Sequence, residues 1–204
     1  GDLLRNLGYK ETFSCQSIPN PSNKRELMGE WTDEHALALY ERVGSIPVEL
    51  IDYGHFVDEP SHFELPYEVF ESKEQYVTEP PVAPTIDTVR VLTSSVDSSR
   101  EFWTTLGLNS TGQNTVQFDA TTSQSTVTFE LQATDRCPKR TRLDAGGFPC
   151  VAFVTTSLER DRERMSGAGY EVTDISKIEL PHRTMEVAFV AGPDGIPVEL
   201  VSPS

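Results

Sequence analysis

Apolar and polar residues alternate along several short stretches of this chain, and each such stretch reads as a strand with one buried face. The clearest are 85–94, with Val89 and Val91 in step, 125–134, with Val127, Phe129 and Leu131 in step, and 196–201, with Ile196, Val198 and Leu200 in step. Residues 115–118, 148–155 and 185–191 carry shorter versions, and 171–180 a looser one. The period changes between them: a helix is expected from Ser95 through Phe102 and Trp103 to Gly107, and another over 158–168 with Gly169 as its stop. Ser98 with Glu101, and Thr156 with Glu159, stand at capping-box spacing. Pro193-Asp194-Gly195 supplies the turn between the last two strands.

Ahead of these, 2–7 reads as the tail of a helix ended by Gly8, followed by strands at 9–18, 35–42 and 45–53 and a turn cluster at 19–23. The pentapeptide Ile-Pro-Val-Glu-Leu occurs at 46–50 and again at 196–200, so the chain is built of copied units. The expected fold class is α+β, with paired βαβββ modules forming a cupped mixed sheet and a partial N-terminal module that lacks its first strand. Residues 1–54 form that partial module. Residues 55–84, rich in proline and acid, read as a linker or strap, with Phe63, Leu65, Tyr67 and Phe70 as its docking residues. Residues 85–204 read as an intact two-module domain, with modules at 85–134 and 146–204 joined by a basic connector. The partial module implies a fragment or a processed chain that pairs with upstream sequence or forms a homodimer.

Composition narrows the partners. A net charge of −15 repels phosphates and argues against nucleic acid. No apolar run approaches the ~20 residues needed to span a bilayer. The three cysteines, Cys15, Cys137 and Cys150, make no metal-ligand pair and no disulfide framework, so a cytoplasmic setting is the default.

The stretch Val89-Arg-Val-Leu-Thr-Ser-Ser-Val-Asp-Ser-Ser-Arg-Glu-Phe-Trp-Thr-Thr-Leu-Gly-Leu108 resembles the opening of a vicinal-oxygen-chelate module, and Gly192-Pro-Asp-Gly-Ile-Pro-Val-Glu-Leu200 resembles the close of one. That superfamily holds glyoxalases, fosfomycin-resistance proteins and extradiol dioxygenases, and the resemblance implies metal ligands at the start of each first strand and at the glutamate of each last strand. Those positions are Thr88, Cys150, Glu130, Glu199 and, in the partial module, Glu49. Both histidines that the family pattern implies are absent.

Strand parity independently turns Glu199, Glu130, Thr88, Arg90 and Cys150 away from the helices and into one expected hollow between the two later modules. Two carboxylates, a hydroxyl and a thiol make a poor transition-metal site, and Arg90 reads as the charge that offsets them. No metal or cofactor is expected in 85–204; Glu49 leaves room for a divalent metal in the full-length protein. His182 follows Pro181 at a turn that could bring it over the hollow's mouth as an acid or base, and His55 and His62 sit in the acidic strap. The primary reading is a small-molecule-binding protein whose ligand meets Arg90, Glu130, Glu199, Thr88, Cys150 and His182. The alternative is a divalent-metal-dependent lyase, isomerase or dioxygenase whose working site involves the N-terminal module and absent upstream sequence. Catalytic residues, and whether the protein is an enzyme at all, stay open at this point.

Overall fold

The computed structural model describes residues 1–64, 87–120 and 125–203. A short helix α1 (Asp2–Asn6) leads into β1 (Lys10–Pro19), β2 (Glu34–Glu41) and β3 (Val48–Asp52), an antiparallel sheet in the order β1-β2-β3. Gly8, with φ +82°, ends α1 where a side chain would be strained. Between β1 and β2 the chain makes a 3-10 turn at Ser22–Leu27.

The second unit holds β4 (Phe63–Glu64), β5 (Thr88–Thr93), α2 (Val96–Leu106), β6 (Asn109–Ser110), β7 (Thr115–Ala120) and β8 (Ser125–Ala133). Its sheet runs β4-β5-β8-β7-β6, with β5 and β8 parallel. The third holds β9 (Val151–Val154), α3 (Leu158–Gly167), β10 (Glu171–Val172), β11 (Ser176–Leu180), β12 (Arg183–Ala191) and β13 (Pro197–Pro203), in the order β10-β12-β13-β9 with β11 on β12. The parallel β9–β13 pair repeats the β5–β8 pair. These are two strand-helix-strands units, the α+β architecture expected from the pattern. Among the described residues no helix is long and apolar enough to cross a membrane.

Helix α2 is capped by Ser95, whose side chain accepts from the Ser98 amide; the expected Ser98–Glu101 box lies inside the first turn instead. Helix α3 starts after Ser157 without a side-chain cap, so Thr156 and Glu159 form no box either. Phe63 is buried as expected, whereas Leu65, Tyr67 and Phe70 lie outside the described residues.

The two later units share one core on their helix sides. Trp103 is fully buried, stacks on Phe129 at 5.0 Å and meets Phe102 edge-on at 5.0 Å. Met165, Val190 and Val198 join the same cluster, and Arg164 of α3 donates to the Leu106 carbonyl at 3.0 Å. Burying such side chains stabilises by about 1.5–3 kcal/mol each.

Because their helix faces meet, their other faces point elsewhere, and this overturns the expected hollow between 85–134 and 146–204. What covers the third sheet is the first unit. Met28 and Tyr53 pack with Leu143, Val187 and Phe189, and Asn23 donates to the carbonyls of Asp174 (2.9 Å) and Val187 (3.1 Å). The connector reinforces the join: Leu143 donates its amide to Leu27 at 2.9 Å, and Arg142 donates to the Met28 carbonyl at 2.8 Å.

Candidate functional site

The cup therefore lies between the 1–54 sheet and the 146–203 sheet. Parity places the chemistry within it. In β13, Val198 and Leu200 enter the helix-side core, which turns Glu199 to the opposite face at 9% exposure. In β3, Val48 packs under α1, which turns Glu49 the same way. The two copies of the pentapeptide thus bring their glutamates close enough to couple electrostatically.

Glu49 is pushed up to about 7 by burial first and by the charge of Glu199 second, with Lys24 working against both. Its residue surface still reaches solvent, although enough protein surrounds the carboxyl for burial to be the largest cause of the shift. Glu199 is raised by burial, again opposed by Lys24. Burial, then Glu199, hold the Cys150 thiol well above its ordinary range, which makes it neither a ready nucleophile nor a ready soft-metal ligand. Burial likewise raises Tyr53.

Lys24 was not singled out by the sequence. It sits in the 3-10 turn, where no period of two or 3.6 marks a face, and its residue is only 3% exposed. Its ammonium lies 5.9 Å from the Tyr53 ring centroid and 6.0 Å from that of Phe189. Beside it, His35 is held down at about 4 by burial and then by the Lys24 charge. Its Nδ1 is buried with no hydrogen-bond partner among the described residues. At the cup's edge, Asp144 accepts from the Gly29 amide (2.7 Å), the Glu30 amide (2.9 Å) and His55 Nε2 (3.1 Å). Burial would raise that carboxyl, but these donors outweigh it and hold it below its ordinary range.

The remaining expected residues lie elsewhere. Arg90 and Glu130 are register partners on β5 and β8, and they line an open hollow of about 540 Å³ on the second sheet with Asn114, Thr115 and Gln132. Arg90 pairs with Glu64 at 3.5 Å rather than with Glu199. Thr88, at the start of β5, donates to Asp87 at 3.1 Å. His182 is exposed at the tip of the β11–β12 hairpin. His62 is no loop ligand: it is fully buried, bonded to Thr141 and, through Nε2, to the Pro138 carbonyl at 2.8 Å. Of the residues expected from the sequence, then, only Glu49, Glu199 and Cys150 share the cup.

These donors do not fit a transition metal. They offer two carboxylates and a protonated thiol, no imidazole in a ligating position, and a lysine cation already coupled to both glutamates. Among the described residues, no group of three or more His, Cys, Asp or Glu side chains is placed to hold a metal.

No protein-family model and no curated protein matches the chain. Among solved structures it is similar to a glyoxalase family protein from Bacillus cereus, at 16% identity and a TM-score of 0.46 over 58% of this chain and 93% of that one. It is similar to a glyoxalase family protein from Enterococcus faecalis, at 19% identity and 0.43 over 57% and 95%. A glyoxalase/bleomycin resistance protein/dioxygenase from Nocardioides matches at 20% and 0.41 over 59% and 83%.

Proposed function

We propose that the protein binds a small organic molecule in the cup between 1–54 and 146–203, with a metal site that has degenerated. One observation carries this reading: the two copied strands turn Glu49 and Glu199 to one side, within electrostatic reach of each other and of a buried lysine, with Glu49 open to solvent and pushed up to about 7. A carboxyl in that range exchanges its proton near neutrality, which suits it to donate to or accept from a bound ligand. Apolar walls from Ile51 and Val201, which are only partly buried where they pack on the Met28 and Phe189 cluster, would hold the ligand's carbon skeleton.

A second reading places the ligand in the hollow beside Arg90 and Glu130, favoured by its open volume of about 540 Å³. An NMR titration with a panel of small hydroxy acids, keto acids and aldehydes separates the two. The cup reading expects shifts at the methyls of Ile51, Val187 and Val201, and about tenfold weaker binding in Glu199→Gln. Shifts confined to the residues around Arg90 would move the site to the second sheet, and a panel without any binder would remove the reading.

A further inference from the structure

Two carboxyls facing one cup favour a positive charge beside them, and a strand-borne arginine was the expected source. The cup contains a different one. Lys24 is almost fully buried, and among the described residues its ammonium makes no side-chain hydrogen bond and no ion pair within 4.0 Å. It lies over two ring faces and couples electrostatically with Glu199 on β13, Glu49 on β3 and His35 on β2. An ammonium has three donors and no acceptor, and burial without acceptors is costly. The His35 imidazole that senses the Lys24 charge is also short of a partner, its Nδ1 being buried and unpaired.

We infer that Lys24 is the resident cation of the cup, excluding a divalent metal and offering its free donors to an oxygen atom of the bound molecule. This rests on the cup being the ligand site. The ligand class that follows is a small monovalent oxyanion or a carbonyl compound, its oxygen on the Lys24 ammonium and its carbon skeleton against the partly buried Ile51 and Val201. An anion entering beside two glutamates favours the neutral carboxyl, so its binding takes up a proton at Glu49. The other titratable groups facing the position are Glu199, His35, Cys150 and Tyr53, with Asp144 and His55 at the edge. A divalent cation meets the opposite situation, since a lysine charge fixed among its would-be ligands repels it.

The test uses the whole chain with acetate and Mn²⁺ as probes, read as melting temperature at matched ionic strength. For a Kd of about 10 mM, 100 mM acetate raises the wild-type melting temperature by roughly 3 °C, more at pH 6 than at pH 8. Lys24→Met keeps the packing between the rings and loses this shift; Lys24→Arg keeps it. Mn²⁺ leaves the wild type unmoved and stabilises Lys24→Met, and the gain disappears when Glu199→Gln is added. Should Lys24→Met fail to fold, Lys24→Gln serves in its place. Equal acetate shifts with and without the lysine, an absent shift in the wild type, or equal Mn²⁺ stabilisation of both would each overturn the inference. The outcomes separate it from the broader reading. Organic ligands that bind the cup unaffected by Lys24→Met leave that reading standing and remove only the role of Lys24. An inert panel combined with the expected acetate and Mn²⁺ results does the reverse.

Discussion

Glu49 and His35 are displaced from their ordinary titration ranges in opposite senses for one reason, since burial disfavours whichever form is charged. His35 is held at about 4 against an ordinary 6.5, by burial and then by Lys24. The unfolded chain therefore takes up this proton first as pH falls. Its contribution to stability is complete above about pH 6.5 and is lost as pH falls through about 4. At ~1.4 kcal/mol per pH unit the lost contribution is roughly 3 kcal/mol. Urea denaturation of His35→Leu and wild type across this range should show the variant gaining by about that amount between pH 7 and pH 4, and a constant difference would show an ordinary histidine. The sign reverses at Glu49. Its folded value of about 7 lies above 4.5, so its contribution is present below about pH 4.5 and is lost as pH rises through 7. Glu49→Gln should therefore lose less stability than wild type between pH 5 and pH 8. The difference should be smaller than the shift alone implies, because water reaches this carboxylate and screens it.

At the scale of elements, what was legible was local. Period-two alternation is set by the pleat itself, so Val198 and Leu200 under the helices and Glu199 opposite could be read from the residues alone, as could Val89, Val91 and Arg90. The helix boundaries near Ser95 and Gly107 were legible too from the change of period and the glycine stop, although the cap expected at Ser98 is made by Ser95. Lys24 was not, since a 3-10 turn within a loop carries no face. Nor was the role of the Pro193-Asp194-Gly195 turn, which does more than reverse the chain. Asp194, at φ +60°, accepts from the Ser94 amide (2.8 Å), the Ser94 hydroxyl (2.6 Å) and the Thr93 hydroxyl (3.0 Å). It ties the third unit to the start of α2. Asp194→Ala should cost about 2–3 kcal/mol in thermal or urea unfolding, since it strands these donors and puts alanine at a strained φ. Beside it, a Cβ at Gly192 would lie 2.9 Å from the fully buried Phe102 ring. Gly192→Ala should cost about 1–3 kcal/mol through overpacking, and an unchanged melting temperature would mean that the ring yields freely.

For the whole molecule, the decisive feature is which sheet faces which, and no local period encodes it. The repeat shows three related units; it does not say that the second and third join through their helices while the first closes over the third. That choice follows from apolar surface. Trp103, Phe102 and Met165 make the helix side the richer core, which leaves the third sheet's far side to be covered by Met28 and Tyr53. The second sheet's far side, with Arg90, Glu130 and Gln132, is polar and stays open. Removing one covering residue tests this arrangement against the sequence-based pairing. Met28 is 4% exposed, so Met28→Ala should destabilise by about 2–4 kcal/mol. The more discriminating readout is native-state hydrogen exchange, which resolves openings by region. If the first unit covers the third, amides of β12 such as Val187 and Phe189 should exchange faster in Met28→Ala under conditions where those of β7 and β8 are unchanged. Were the cup instead shared by 85–134 and 146–204, both sheets would respond together or neither would, because Met28 would touch no wall of it.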